Sequence, residues 1–192
     1  MKKIASLKIK LFAVVLFMTT NFIAQNTSVE KSIWGIQTGI LGIWMHNEYK
    51  LSNKIALRSE IGFDGGYRYS DFFGYNYYVL APVLTAEPRW YYNLEKRNKK
   101  GKNISKNSGN FVGLKTSFHP NWFTISNEDN IEVTPQITII PKWAIRRTVG
   151  NHFTYEAGIG IGYQYIFYKN AGYADNESTW APDLHIRLGY TF

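Results

Sequence analysis

Four acids and four bases recur at every second position of otherwise apolar or small-residue segments: Glu48, Glu60, Glu87 and Glu156 with Arg58, Arg89, Arg146 and Arg187. Equal numbers of opposite charges suit mutual pairing, because a charge removed from water is tolerated only when it is paired and hydrogen-bonded. The four histidines, His46, His119, His152 and His185, lack the close spacing that puts two zinc ligands on one element, so no metal is expected. Gly158-Ile159-Gly160-Ile161-Gly162 has the glycines of a phosphate loop, but they repeat by two and no helix follows. Those glycines are expected to leave room for long Arg and Glu side chains opposite. These groups yield no catalytic residue and no cofactor site.

The segments that carry the charges read as strands. No window after residue 25 sustains a 3.6-residue period, whereas alternation by two recurs to the last residue. At the C-terminus Leu184, Ile186, Leu188, Tyr190 and Phe192 alternate with Asp183, His185, Arg187, Gly189 and Thr191. Phe153 to Tyr165 repeats the pattern, and further strands are expected at Ile55–Phe63, Val79–Leu94, Phe111–Phe118 and Thr134–Thr148, near or above the ~9 to 11 residues a tilted strand uses to cross a bilayer. The chain is therefore expected to be all-β, an antiparallel up-and-down barrel. Both ends of such a barrel lie on one side, which requires an even strand count. Val29–Leu51 must then supply two strands, joined by a tight turn around Thr38–Gly42, for a total of eight. Ser52–Lys54, Glu95–Asn107 and Gly150–His152 become periplasmic turns; Asp64–Tyr77, His119–Val133 and Lys169–Pro182 become longer outer loops, the asymmetry of outer-membrane barrels. Pro82, Pro88, Pro135 and Pro141 fall inside these strands, and bulges or strand ends must absorb them.

Alternation alone does not separate a membrane barrel from a soluble sheet. The eight charges do, since they cannot all face a dry soluble core, whereas a narrow lumen lets them pair across strands. One unpaired charge on a lipid face would cost about 2 to 4 kcal/mol at mid-bilayer. The greasy face must then point outward, with Arg187 balancing a lumenal acid such as Glu156. Tyr49, Trp90, Tyr92, Trp143, Phe153, Tyr155, Tyr190 and Phe192 fall beside the expected turns, where aromatic rings form an interfacial girdle. Aromatic side chains in the outer loops, among them Tyr67, Trp122, Phe123 and Trp180, either hold a surface ligand or pack on one another and in the lipopolysaccharide layer.

With 192 residues, 45% of them hydrophobic, the chain suits one folded domain. Lys2, Lys3, Lys8 and Lys10 precede an apolar run from Leu11 to Met18, the layout of a secretory signal over residues 1–24 with cleavage after Ala24, leaving 25–192 as the barrel. Phe22 departs from the small residue preferred near such a cut. The chain has no cysteine, which excludes a lipoprotein. Of the formal charge of +8, four units belong to the leader lysines, and the remaining +4 is concentrated in Glu95–Asn107, a local +5. That run is read as a solvated turn, or else as a contact with anionic lipid or polymer. A whole-molecule nucleic-acid function has no support.

The last strand, Leu184–Phe192 (LHIRLGYTF), is similar to the C-terminal insertion signal of outer-membrane barrels, with Leu188, Tyr190 and Phe192 at its alternate positions. With the leader and the strand count, residues 29–192 resemble the small eight-stranded outer-membrane barrels of Gram-negative bacteria. The resemblance implies recognition by the barrel-assembly machinery, residence in the cell outer membrane, and contact with its lipid and lipopolysaccharide. Some barrels of this size are lipid A deacylases, whose motif is a histidine, one residue, the nucleophilic serine and then Asn-Ala-Gly. Here Asn170-Ala171-Gly172 matches, but Phe167 replaces the histidine and Lys169 the serine, so both base and nucleophile are missing. The expected function is non-enzymatic: an envelope structural or surface-interaction protein with a lumen plugged by Glu/Arg pairs. A narrow solute channel and a lipid A-modifying enzyme are the alternatives.

Overall fold

The computed structural model describes residues 27–70 and 75–192; the expected leader, residues 1–24, lies outside the described residues. The strands are β1 (Ser32–Gly39), β2 (Gly42–Lys50), β3 (Ile55–Ser70), β4 (Tyr75–Tyr91), β5 (Asn110–His119), β6 (Ile125–Ser126), β7 (Gln136–Val149), β8 (Phe153–Ile166) and β9 (Glu177–Thr191). Apart from the two-residue β6, each pairs antiparallel with the next, and β9 returns to β1, so eight strands close one ring. β6 adds to the upper part of β4, at Val79↔Ser126 and Leu80↔Ile125. Among the described residues one α-helix, α1 (Leu94–Lys99), follows β4. No helix among the described residues is long and apolar enough to cross a membrane, which says nothing of strands.

Closing a sheet requires tilted, staggered strands. Following cross-strand pairs from Gly35 through His46, Glu60, Thr85, Ser117, Thr138 and Gln164 leads to Thr179 on β9, twelve residues from Thr191, the direct partner of Gly35. An even stagger keeps each inward residue beside an inward residue all the way round. The period-2 pattern therefore gives the body of the long strands one buried and one exposed face, as in β1, where Ile33 and Gln37 are buried while Trp34 and Ile36 are exposed.

Several boundaries differ from those expected. β3 and β4 run on to Ser70 and Tyr75, so most of Asp64–Tyr77 is strand rather than loop. β9 likewise begins at Glu177, inside the segment Lys169–Pro182. In both places the ladder simply continues, to Ser70↔Tyr75 between β3 and β4 and to Ile166↔Glu177 between β8 and β9. No bulge absorbs Pro88 or Pro141. The β4–β5 ladder skips Glu87 and Pro88 and resumes in the same register, from Ala86↔Thr116 to Arg89↔Gly113. The β7–β8 ladder skips Pro141 in the same way, from Ile139↔Tyr163 to Lys142↔Gly160. A missing N–H thus costs local pairs without shifting any side chain to the other face. Pro82 lies beyond the end of the β4–β5 ladder, and Pro135 directly precedes β7.

The β1–β2 connection is the two-residue turn Ile40–Leu41, closed by Thr38 Oγ1 donating to the Gly42 carbonyl at 3.0 Å. Gly42 takes φ 141°, a conformation that needs the missing Cβ. Nor is Glu95–Asn107 simply a solvated turn. Its cations Lys96, Lys99, Lys100 and Lys102 are exposed, but Asn107 and the adjoining Leu94 are buried, so the segment folds across the end of the ring. Beneath it Val29, Ala56, Tyr91, Leu94, Phe111 and Ala144 form the main apolar cluster. We call this the turn end, and the opposite one the loop end.

Candidate functional site

Above the apolar cluster the ring is filled with charge. Glu48, Arg58, Glu60, Glu87, Arg89, Arg146, Glu156 and Arg187 all lie inside, none more than 5% exposed. Six of the eight strands supply them, so the network exists only in the closed ring.

Glu156 on β8 is the hub. Its Oε1 accepts from Arg146 Nη1 at 2.6 Å, from Arg58 Nη1 and Arg89 Nη1 at 3.2 Å each, and from Gln37 Nε2 at 3.1 Å. Arg58 also donates to Glu60 and to the Gln37 side-chain oxygen. Glu87 lies 3.1 Å from Arg89 Nε and 3.0 Å from Lys142 Nζ. Glu48 lies 3.3 Å from Arg89 Nη1 and 3.6 Å from Arg146 Nη1, and it accepts from Asn107 Nδ2 at 2.6 Å. Each carboxylate thus meets at least two donors, the condition under which buried ions are tolerable.

Arg187 departs from expectation. It stands across the ladder from Glu156, yet its Nη1 donates to Glu60 Oε1 and Oε2 at 2.7 and 2.9 Å. Its guanidinium lies 3.9 Å from the Trp44 ring centroid, which holds it toward β2 and β3. The acid that loses a partner with Arg187 is therefore Glu60, which keeps only Arg58.

Reading only Glu and Arg misses five buried polar residues beside them: Gln37, His46, Asn107, Lys142 and His185. Lys142 shares the inward parity of Arg146, and His185 that of Arg187, so alternation could have found both. His185 Nε2 lies 2.8 Å from Glu156, and its Nδ1 lies 3.2 Å from Lys142 Nζ. Because an ammonium only donates, Nδ1 must accept and Nε2–H must donate, which assigns a neutral ring. Both ring nitrogens of buried His46 lack a partner.

The glycines make room differently from the expectation. A Cβ on Gly158 would meet Ala144 at 2.4 Å, and one on Gly160 would meet Ile140 at 2.6 Å, so these glycines admit the adjacent strand rather than Arg or Glu. The space for network side chains is at Gly35 beside His46, at Gly189 beside Gln37, and at Gly113, where a Cβ would stand 2.6 Å from Glu87.

The outer face is apolar and exposed, from Ile36, Ile43 and Met45 to Ile159, Leu184 and Leu188. At the turn end the rings of Tyr49, Trp90, Tyr92, Trp143, Phe153, Tyr155, Tyr190 and Phe192 stand outward. Trp143 Nε1 donates to Tyr92 Oη at 2.8 Å, and Tyr190 packs edge-on against Phe153 at 5.7 Å. Tyr67, Tyr78, Tyr163 and Trp180 form a second outward set toward the loop end. Below the turn-end belt, Lys99 bonds exposed Glu95 and holds its carboxyl below the usual carboxylate range.

Asn170-Ala171-Gly172 lies in an exposed turn of 3-10 helix and its cap, with Lys169 pointing to Asp175 at 3.7 Å. Among the described residues no group of three His, Cys, Asp or Glu side chains could hold a metal. Comparison with family models, with curated proteins and with solved structures finds no match.

Proposed function

We propose that the ring is an integral outer-membrane β-barrel with a plugged interior, serving envelope structure or surface interaction rather than catalysis or solute passage. The observation that carries this is the inversion of polarity. Five cations and four carboxylates are buried inside, while large apolar side chains cover the outside. In water such an exterior is a large exposed apolar surface; in lipid it is the correct one. Two outward aromatic sets fit the two interfaces. The Ile40–Leu41 turn supports the same reading, because both side chains are more than half exposed where a hairpin tip in water carries polar residues.

The interior argues against a channel. Arg58, Arg89, Arg146, Glu48 and Glu156 cross the lumen with essentially no exposed surface, so a planar bilayer should show no steady single-channel current. Steady currents would favour the transport reading. The lipid A deacylase motif lacks its base and nucleophile here, with Phe167 and Lys169 in their places, and mass spectra of lipid A from cells with and without the protein should be the same.

The membrane assignment is tested by cell fractionation with gel mobility before and after boiling. The folded barrel should stay in the outer-membrane fraction and shift on heating. A mature chain that dissolves as a detergent-free monomer would sink the proposal.

A further inference from the structure

The wall of the ring is incomplete in one place. β1 pairs with β9 only up to Gly39↔Arg187, and β2 with β3 only up to Gly42↔Asp64. Beyond these pairs β9 continues to Glu177 and β3 to Ser70, but β1 and β2 have already turned at Ile40–Leu41. A lateral notch results, with the hairpin as its sill. Among the described residues no strand pairs with this edge of β9 from Glu177 to Ile186.

Behind the sill lies a cavity of 220 Å³. Its lip is apolar, formed by Ile40, Leu41, Leu184 and Ile186, and its inner wall carries Trp44, Asp64, Lys115, Asp183, His185 and Arg187. We propose that this notch binds the head group of a neutral, hydroxyl-rich amphiphile, a glycolipid or glycoside, which enters sideways and leaves its alkyl tail outside. This inference rests on the membrane reading above.

The size decides for a head group. The cavity is smaller than the roughly 300–1,000 Å³ that encloses a drug-sized ligand, and it opens through an apolar lip. Charge decides for a neutral one. Lys115 and Asp183 pair at 3.0 Å, Asp64 accepts from Trp44 Nε1 at 2.7 Å and lies 2.9 Å from His119 Nε2, and Arg187 is committed to Glu60. A net charge would unbalance these pairs.

Hydrogen-bonding capacity decides for hydroxyls. Asp183 Oδ2 has no partner, and an open strand edge offers both N–H and C=O groups that hydrocarbon cannot satisfy. A hydroxyl donates and accepts, so it can serve both. A phosphocholine head only accepts.

The test uses the mature chain folded in dodecylphosphocholine micelles and titrated with dodecyl maltoside, which has a tail of the same length. Backbone amide shifts at Gly39–Trp44 and Asp183–Arg187 should change saturably. Asp183→Ala should weaken the apparent affinity about tenfold, the loss expected for one charge-assisted bond. Leu41→Trp, on the exposed turn, should block the mouth and abolish the response while the remaining amides keep their positions. The proposal is overturned by an unsaturable or absent response, by an equal response to added phosphocholine detergent, or by wild-type titrations from both variants. A doubled mass in micelles would assign the open edge to a second copy and would also overturn it. Failure of the membrane reading is distinguishable, because a detergent-free soluble chain would be seen before any titration.

Discussion

The two ends of the ring are built on opposite principles. At the turn end Tyr91 and Phe111 pack at 5.2 Å beneath Leu94, and Asn107 reaches from the covering segment into the charge network through Glu48. At the loop end the wall is notched, a cavity opens beside Asp64 and Asp183, and the pairs there keep partial access to solvent. One end is sealed from apolar contacts upward into buried ions; the other leaves polar groups with bonding capacity to spare. On the proposed reading, the turn end and the middle hold the ring together and the loop end is where it meets a ligand.

The sharpest way to break this division is at the hub. Glu156→Ala removes the acceptor shared by Arg58, Arg89 and Arg146, leaving Arg146 with Glu48 alone while Arg58 and Arg89 keep Glu60 and Glu87. We expect a loss above the ~3 to 5 kcal/mol typical of breaking one buried pair, seen as failure to acquire the heat-shifted gel band on refolding. A wild-type urea midpoint for this variant would mean that the network adds no cohesion. Phe111→Ala comes next. It empties the apolar seal and withdraws the ring 4.2 Å from Arg89, so about 3 to 5 kcal/mol should be lost in urea unfolding. A loss below about 1 kcal/mol would show that the seal is dispensable.

Much of this layout was legible in the chain because a strand has a strict period of two. Alternation puts Glu48, Arg58 and Glu156 on the same side as the buried residues two positions before them, His46, Ala56 and Thr154, with no need to know the partners. It also reaches Lys142 and His185, which a search restricted to Glu and Arg passes over. Partner choice was not legible. Arg187 faces Glu156 across the ladder but binds Glu60 because Trp44 draws its guanidinium aside, a contact set by side-chain packing around a closed ring. Asn107 was hidden for another reason. It sits in a cationic run of the turn segment, and its partner Glu48 is 59 residues away. The notch was invisible because it depends on how far β9 and β3 outrun the short first hairpin, which is a matter of register rather than of any local pattern.

Arg187 stands between the two regions and sharpens the boundary. Arg187→Ala strands Glu60 with Arg58 alone and frees one face of Trp44, so a loss of about 3 kcal/mol is expected in urea unfolding, with a change in Trp44 emission. A restored midpoint in Arg187→Ala/Glu60→Gln would show that the stranded carboxylate causes the loss. No restoration would assign it to packing on Trp44.

The smallest effect belongs to the open end. Lys115 and Asp183 pair at 3.0 Å, but their side chains keep 14% and 13% exposure beside the cavity, so water can replace either partner when the other is removed. A double-mutant cycle of Lys115→Met with Asp183→Ala should then give a coupling on the order of 1 kcal/mol or less, well below that of Arg187 with Glu60. The contrast between the two cycles matters more than either value. The pairs differ in access to water rather than in geometry, both being close ammonium or guanidinium contacts to carboxylate. A Lys115–Asp183 coupling as large as the inner one would make the notch part of the sealed core, and the division between the cohesive and the open end would fail.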